Sequence, residues 1–82
     1  MIVDAELAAA VHGRPHWRIG GDTAVYAPPG SESVVRVRPL GSSPSGRDRY
    51  HAAVIRNGAA QASVTERSAG AAVGWSERRQ LA

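Results

Sequence analysis

Apolar residues near the start of the chain recur at every fourth position, which is the spacing of one face of an α-helix. This stripe consists of Val3, Leu7 and Val11. Asp4 is a favoured N-cap residue, and Gly13 followed by Pro15 is typical of a helix end. The pattern therefore predicts a helix over about residues 4–12.

Strict alternation of apolar and polar residues begins at position 16 and indicates half-buried strands. The sequence Gly20-Gly21-Asp22 favours a turn, and residues 23–27 are predicted to form the returning strand. A three-residue loop would place four side chains on one face, namely Trp17, Ile19, Thr23 and Val25. A two-residue loop would shift the second strand by one position, and the sequence does not decide between the two loop lengths.

The next strand is predicted from Val34 to Arg38, because Pro28-Pro29-Gly30 ends the strand before it and Pro39 follows it. Its apolar positions alternate with Arg36 and Arg38. One face of this strand should therefore be buried, while the other carries two arginines. A flexible loop is predicted at 41–47, where small polar residues leave nothing to bury.

Asn57-Gly58 is the strongest hairpin signal in the chain, since a type I′ turn needs a positive φ at both central positions. A two-residue loop there predicts that Arg56 pairs with Ala59. An uninterrupted register then pairs Val54 with Gln61 and continues to the pair of Tyr50 and Thr65. It also places five small or aliphatic side chains on the face expected to be the core, namely Ala53, Ile55, Ala60, Ala62 and Val64.

Residues 69–81 allow two interpretations. The first is a last strand over 71–75 followed by a short helix that Ser76 caps. The second is a single helix from Ala69, which Gly70 and Gly74 disfavour. The whole chain is predicted to form one α+β domain over residues 1–82, with an N-terminal helix and an antiparallel meander of four to five strands. We expect this meander to form a small roll or a partly open barrel.

Large apolar side chains are scarce in this chain. Hydrophobic residues make up 43% of 82 positions, but 15 residues are alanine and none is phenylalanine or cysteine. A domain this small buries little surface by itself, so we expect contacts with further copies of the chain or with a larger protein assembly. The residues expected to carry packing and such contacts are Leu7, Val11, Trp17, Ile55 and Trp75.

The formal net charge is +3 with a pI of about 10.6, and all ten basic residues are arginine. An alternative function is therefore nucleic-acid binding by the arginine-bearing strands. The residues assigned to that alternative are Arg36, Arg38, Arg49, Arg56 and Tyr50. The spacing between residues i and i+2 of a β-strand is close to the phosphate repeat of an extended single strand of nucleic acid, so strand geometry permits this binding.

No sequence motif in the chain indicates catalysis. The absence of cysteine excludes disulfides and thiolate metal sites. His12 and His16 are separated by a glycine and a proline, so they do not share a helix face, and no metal site is predicted. A nucleophile elbow, a phosphate-binding loop and a dinucleotide fingerprint are all lacking, so neither enzymatic activity nor a cofactor is expected.

The leading prediction is a non-enzymatic structural or interaction protein that self-associates or docks on a larger assembly. Residues 41–49 are the expected docking segment. No apolar run is long enough to cross a membrane and no signal peptide is recognised, so a cytoplasmic place or an intracellularly assembled particle is expected. In size and composition the chain resembles small accessory proteins from actinobacteria and their phages, including head–tail components, although no motif supports this resemblance.

Overall fold

A computed structural model describes residues 4–40 and 49–81 of the protein. Their elements, in chain order, are α1 (Ala5–Val11), β1 (Trp17–Gly20), β2 (Thr23–Tyr26), β3 (Ser33–Pro39), β4 (Tyr50–Arg56), β5 (Ala59–Glu66) and α2 (Ala69–Leu81). The five strands form one antiparallel sheet in chain order, which confirms the predicted α+β meander. This sheet is open, with β1 and β5 at its edges. The predicted loop at 41–47 lies outside the described residues.

Helix α1 begins and ends where the sequence predicts. The Asp4 carboxylate accepts a hydrogen bond from the Leu7 backbone N–H at 2.9 Å, which satisfies one of the free donors of the first turn. Gly13 has a φ of +76°, so the chain turns away after the last helical turn. Leu7 and Val11 are buried, whereas Val3 of the predicted stripe lies outside the described residues.

The first hairpin has the shorter of the two loops that the sequence allows. Gly20 pairs with Thr23, and Gly21 has a φ of +61°, which suits the first central position of a type II′ turn. Trp17 and Tyr26 are therefore cross-strand partners on one face, with their rings stacked at a centroid distance of 5.0 Å.

The second hairpin confirms the predicted turn but not the predicted register. Asn57 and Gly58 have φ values of 53° and 77°, as a type I′ turn requires. Ile55 pairs with Ala60 as expected, but the next residue of β4, Val54, pairs with Ala62. The predicted pair of Val54 and Gln61 is wrong because Gln61 is the extra residue of a β-bulge.

This bulge also makes the predicted core face of the hairpin wrong. A shift of one residue moves every later side chain to the other face of its strand. Val64 pairs with Ala52 and packs against the core, while Ala53, Ile55 and Ala60 lie on the opposite face. The face that the sequence assigned to the core is therefore divided between two faces.

Residues 69–81 form the single helix, which was the alternative interpretation. Both helices pack on one face of the sheet, α1 against β1 and β2 and α2 against β3 to β5. The core between them contains Leu7, Val11, Ala24, Tyr26, Val35, Val37, Tyr50, Ala52, Ala69, Ala72 and Val73. Trp17 and Trp75 are half-buried against this core. Its many alanines allow the helices to approach the sheet closely.

Candidate functional site

The sheet face opposite the two helices carries the candidate site, and we call it the open face. In β3, Val35 and Val37 are fully buried beneath the helices, so Arg36 and Arg38, which alternate with them, project from the open face. Alternation and register place twelve side chains of the described strands on it, namely Arg18, Thr23, Val25, Val34, Arg36, Arg38, His51, Ala53, Ile55, Ala60, Ser63 and Thr65.

Strand register groups the arginines of the open face. Arg36 pairs with Val25 on one side and with Ala53 on the other, and Arg38 pairs with His51. Arg18, on β1, pairs with the same Val25. Directly paired residues have their Cβ atoms about 4.5–5.5 Å apart, so Arg18 and Arg36 flank Val25 closely. Arg38 lies two residues further along β3, on the same face.

These three arginines differ from Arg14, Arg49 and Arg56, though not from Arg67, Arg78 and Arg79, in having no ion pair with a described carboxylate. Elsewhere, three arginine–carboxylate ion pairs are formed, by Arg14 with Glu77 at 2.7 Å, Arg49 with Glu6 at 2.9 Å, and Arg56 with Glu32 at 2.6 Å. Among residues 4–40 and 49–81, no carboxylate lies within 4.0 Å of the Arg18, Arg36 or Arg38 guanidinium. The open face therefore carries three guanidinium groups without an ion pair to a described carboxylate, and Asp22 lines one cleft together with Arg36 and Arg38.

Aliphatic side chains occupy the end of the open face nearest the second hairpin turn. Val34, Ile55 and Ala60 pair in one row across β3, β4 and β5. Beside this row, a cleft of about 500 Å³ is lined by Asp22, Thr23, Arg36, Arg38, His51, Ala53, Ile55 and Ala60. Cations and aliphatic groups thus share one concave surface.

Tyrosine and tryptophan side chains are absent from the open face. Both tyrosines belong to the core, Trp17 is stacked on Tyr26, and Trp75 lies on α2 beneath the Arg79 guanidinium. All four aromatic residues of the chain are thus accounted for elsewhere. Among the described strand side chains of this face, only the His51 imidazole offers a ring on which a nucleobase could stack.

The residues that the sequence assigned to nucleic-acid binding are only partly brought together. Arg36 and Arg38 are neighbours on the open face, as β3 alternation predicts. Arg49 is paired with Glu6 and Arg56 with Glu32, so neither adds a free cation to that face. Tyr50 is buried, with 1% of its surface exposed, which contradicts its predicted place beside the arginines.

Tyr50 instead belongs to a polar cluster that joins α1 to the sheet. Its hydroxyl donates a hydrogen bond to the Asp4 carboxylate at 2.8 Å, and the Arg49 guanidinium lies 5.6 Å from its ring centroid. Glu6 accepts a hydrogen bond from the Ala69 backbone N–H at 2.9 Å, linking α1 to α2. Burial raises the pKa of Tyr50 above its ordinary range, and the hydrogen bond to Asp4 raises it further. This cluster holds elements together and presents no reactive group to solvent.

Sequence reasoning did not assign Arg18, His51 or Ala53 to the site. Arg18 could have been found from the alternation of β1 once the two-residue loop was chosen, because that loop sets its pairing with Val25. His51 and Ala53 needed the register between β3 and β4, which pairs them with Arg38 and Arg36 and which no local signal announces. Ile55, expected to pack in the core, lies half-buried on the open face outside the core cluster.

The described residues offer binding groups more than catalytic ones. Within residues 4–40 and 49–81, no three histidine, aspartate or glutamate side chains are close enough to hold a metal ion together. Over the same ranges, no helix is long and apolar enough to cross a membrane. Arginines beside an aliphatic row can bind an anionic partner and bury its apolar groups.

Comparison of the chain with models of protein families, with curated proteins and with solved structures finds no match in any of the three.

Proposed function

We propose that this protein is a non-enzymatic interaction protein that docks on a larger assembly through the open face of its sheet, and that its partner is an acidic protein surface. One observation carries the proposal. Arg18, Arg36 and Arg38 have no carboxylate partner among the described residues, although three arginines elsewhere have one.

Physical chemistry favours carboxylates as the groups that such a face would bind. The guanidinium is a rigid fork of donors that matches a carboxylate in two parallel hydrogen bonds. Arg36 and Arg38 are two positions apart on β3, which places them about 6.6–6.8 Å apart along the strand. Two neighbouring carboxylates of a partner would thus be bound side by side.

The composition of the open face favours a protein over a nucleic acid. Single-stranded nucleic acid is commonly held by several aromatic rings as well as cations, whereas the only ring among the described strand side chains of this face is the His51 imidazole. The face has instead the aliphatic row of Val34, Ile55 and Ala60, which gains about 25 cal/mol for each Å² of apolar surface that a partner covers. Nucleic-acid binding is therefore the competing outcome of the experiment below.

We expect the double variant Arg36→Gln/Arg38→Gln to lose at least about tenfold in affinity for an acidic polypeptide, because charge-assisted hydrogen bonds contribute about 1.5–3 kcal/mol each. The measurement is fluorescence anisotropy of a labelled 20-residue polyglutamate at low ionic strength. Both arginines are exposed, so the variant should unfold at the same denaturant concentration as the wild type.

Arg67→Gln/Arg78→Gln is the matched control, since it removes the same charge from exposed positions outside the open face. It should change affinity by less than about threefold, and wild-type affinity should fall as salt is added. An equal loss in both double variants would contradict docking by the open face. A wild type without measurable affinity at low salt would contradict an acidic partner altogether.

Self-association through the edge of the sheet is a second candidate, and the length of β5 favours it. β5 has eight residues, is an edge strand, and carries no charged side chain before Glu66. Charged side chains, lysine above all, are the usual protection of such an edge, and here only the bulge at Gln61 interrupts it. Residues 62–66 could therefore pair with the same strand of a second copy.

We expect the sedimentation-velocity mass of the wild type to rise towards that of a dimer with increasing concentration, whereas Ser63→Lys stays monomeric. Two lysines brought close across a symmetric strand pair repel each other. Ala9→Lys adds the same charge to an exposed position of α1 and should dimerise like the wild type. A wild type that is monomeric at every concentration would exclude this second candidate and leave the first intact.

A further inference from the structure

The cleft of the open face has a floor made of small side chains. Ala53 pairs with Arg36, and only 7% of its surface is exposed. Ala60 pairs with Ile55 beyond it. Because both floor residues end at Cβ, the larger Ile55, Arg36 and Arg38 side chains stand as walls around a space of about 500 Å³.

We propose that this cleft receives a large aliphatic side chain from the partner, and that a carboxylate next to it on the same side of the partner segment binds Arg36 and Arg38. The inference rests on the function proposed above and specifies the partner as a segment in which acidic and large aliphatic residues alternate on one side. The volume of the cleft lies within the roughly 300–1,000 Å³ of ordinary ligand pockets, so the cleft has room for more than a single ion.

Strand geometry places the two kinds of contact within reach of one short segment. Ala53 lies directly across from Arg36, so the apolar floor is one strand spacing, about 4.8 Å, from the line of arginines. Side chains on one side of an extended partner strand recur about every 6.6–6.8 Å, close to the spacing of Arg36 and Arg38 themselves. A carboxylate and a neighbouring aliphatic group can thus be bound at the same time.

Both contacts strengthen each other when the cleft is covered. An aliphatic side chain over Ala53 and Ile55 excludes water from the adjacent guanidinium groups, and a lower local dielectric strengthens their hydrogen bonds to carboxylates. A purely acidic segment would leave the cleft wet. Apolar size should therefore decide affinity among partners of equal charge.

The test uses two twelve-residue peptides, one repeating Glu-Glu-Leu-Leu and the other Glu-Glu-Ala-Ala. In extended form, each places acidic and apolar residues alternately on both of its sides, and their charges are equal. The wild-type chain should bind the leucine peptide at least about tenfold tighter, because each leucine buries several more CH₂ groups than alanine. Anisotropy of the labelled peptides measures this preference.

Ile55→Thr and Ala60→Gln should each reduce the preference to below about threefold, mainly by weakening the binding of the leucine peptide. The first removes an aliphatic wall, and the second places a polar side chain in the cleft from an exposed position where folding is not at risk. Val25→Thr makes a similar change on the open face outside the cleft lining and should keep the full preference.

Equal affinity of the wild type for the two peptides would overturn this inference and leave the proposed function standing. Affinity for neither peptide would overturn both. A mixed-sequence 20-nucleotide single strand that binds more tightly than either peptide, and loses that affinity in Arg36→Gln/Arg38→Gln, would assign the open face to nucleic acid instead.

Discussion

Leu7→Ala is expected to lower the free energy of unfolding by about 3 kcal/mol, since large-to-small changes of fully buried leucines cost about 2–5 kcal/mol. Leu7 is fully buried and lies where α1 meets the rest of the core. Most other core side chains are alanine or valine, which are too small to fill the space that the substitution leaves. Urea denaturation followed by tryptophan fluorescence measures the loss.

Leu40→Ala is the matched control, because this substitution removes the same atoms from a side chain that is 41% exposed. Its cost should stay below about 1 kcal/mol. If the two variants unfolded at similar urea concentrations, the core as described here would be incorrect. Loss of about 3 kcal/mol from a domain of this size would leave little stability, so a partner that binds only the folded state should raise the folded fraction of the Leu7 variant more than that of the wild type.

Local signals in the sequence predicted those elements whose geometry depends on a few neighbouring residues. Asp4 caps α1 because a short acceptor lies three residues before a free N–H, and Asn57-Gly58 turns because both residues tolerate positive φ. Such features need no knowledge of the remaining chain. They also fixed the ends of α1 and the position of the second hairpin.

Register was not predictable in the same way. The bulge at Gln61 breaks no local rule; it allows Val64 and Ala52 to face the helices together. A choice between two faces that differ by one residue depends on what covers each face, and the covering residues lie far away in sequence. The turn was therefore right while the core face was wrong.

Helix α2 shows tertiary packing overriding a local preference. Gly70 and Gly74 reduce its intrinsic stability, yet Ala69, Ala72 and Val73 are buried at spacings that only a helix places on one side. The buried Ser76 donates its hydroxyl to the Ala72 carbonyl at 2.8 Å, so no polar atom is left unsatisfied there.

The candidate site was predictable only where alternation alone decides it. In β3 the valines on either side of Arg36 are buried, and this was visible in the sequence. Tyr50 was placed incorrectly because its hydroxyl reaches Asp4, 46 residues earlier in the chain. The ion pairs were equally hard to predict, because Arg49 and Arg56 bind carboxylates that are distant in sequence, those of Glu6 and Glu32.

Tyr50→Phe is expected to cost about 1.5–3 kcal/mol at neutral pH, which is the usual contribution of a hydrogen bond to a charged group. It should also change how stability depends on pH. Burial and the Asp4 carboxylate raise the pKa of Tyr50 above its ordinary value near 10. The unfolded chain therefore loses this proton before the folded one does, so the contribution is complete below pH 10 and declines as the pH rises above it.

Urea denaturation between pH 7 and pH 11 separates this effect from simple loss of volume. Wild-type stability should fall above pH 10, and the Tyr50→Phe variant should fall less steeply over the same interval, because it has lost the group responsible. Tyr26→Phe is the control: Tyr26 is also buried, has no carboxylate partner among the described residues, and its loss leaves the Tyr50–Asp4 bond intact. Parallel pH profiles for wild type and Tyr50→Phe would mean that the Tyr50 hydroxyl does not stabilise the fold through Asp4, and that α1 is held to the sheet by apolar contacts alone.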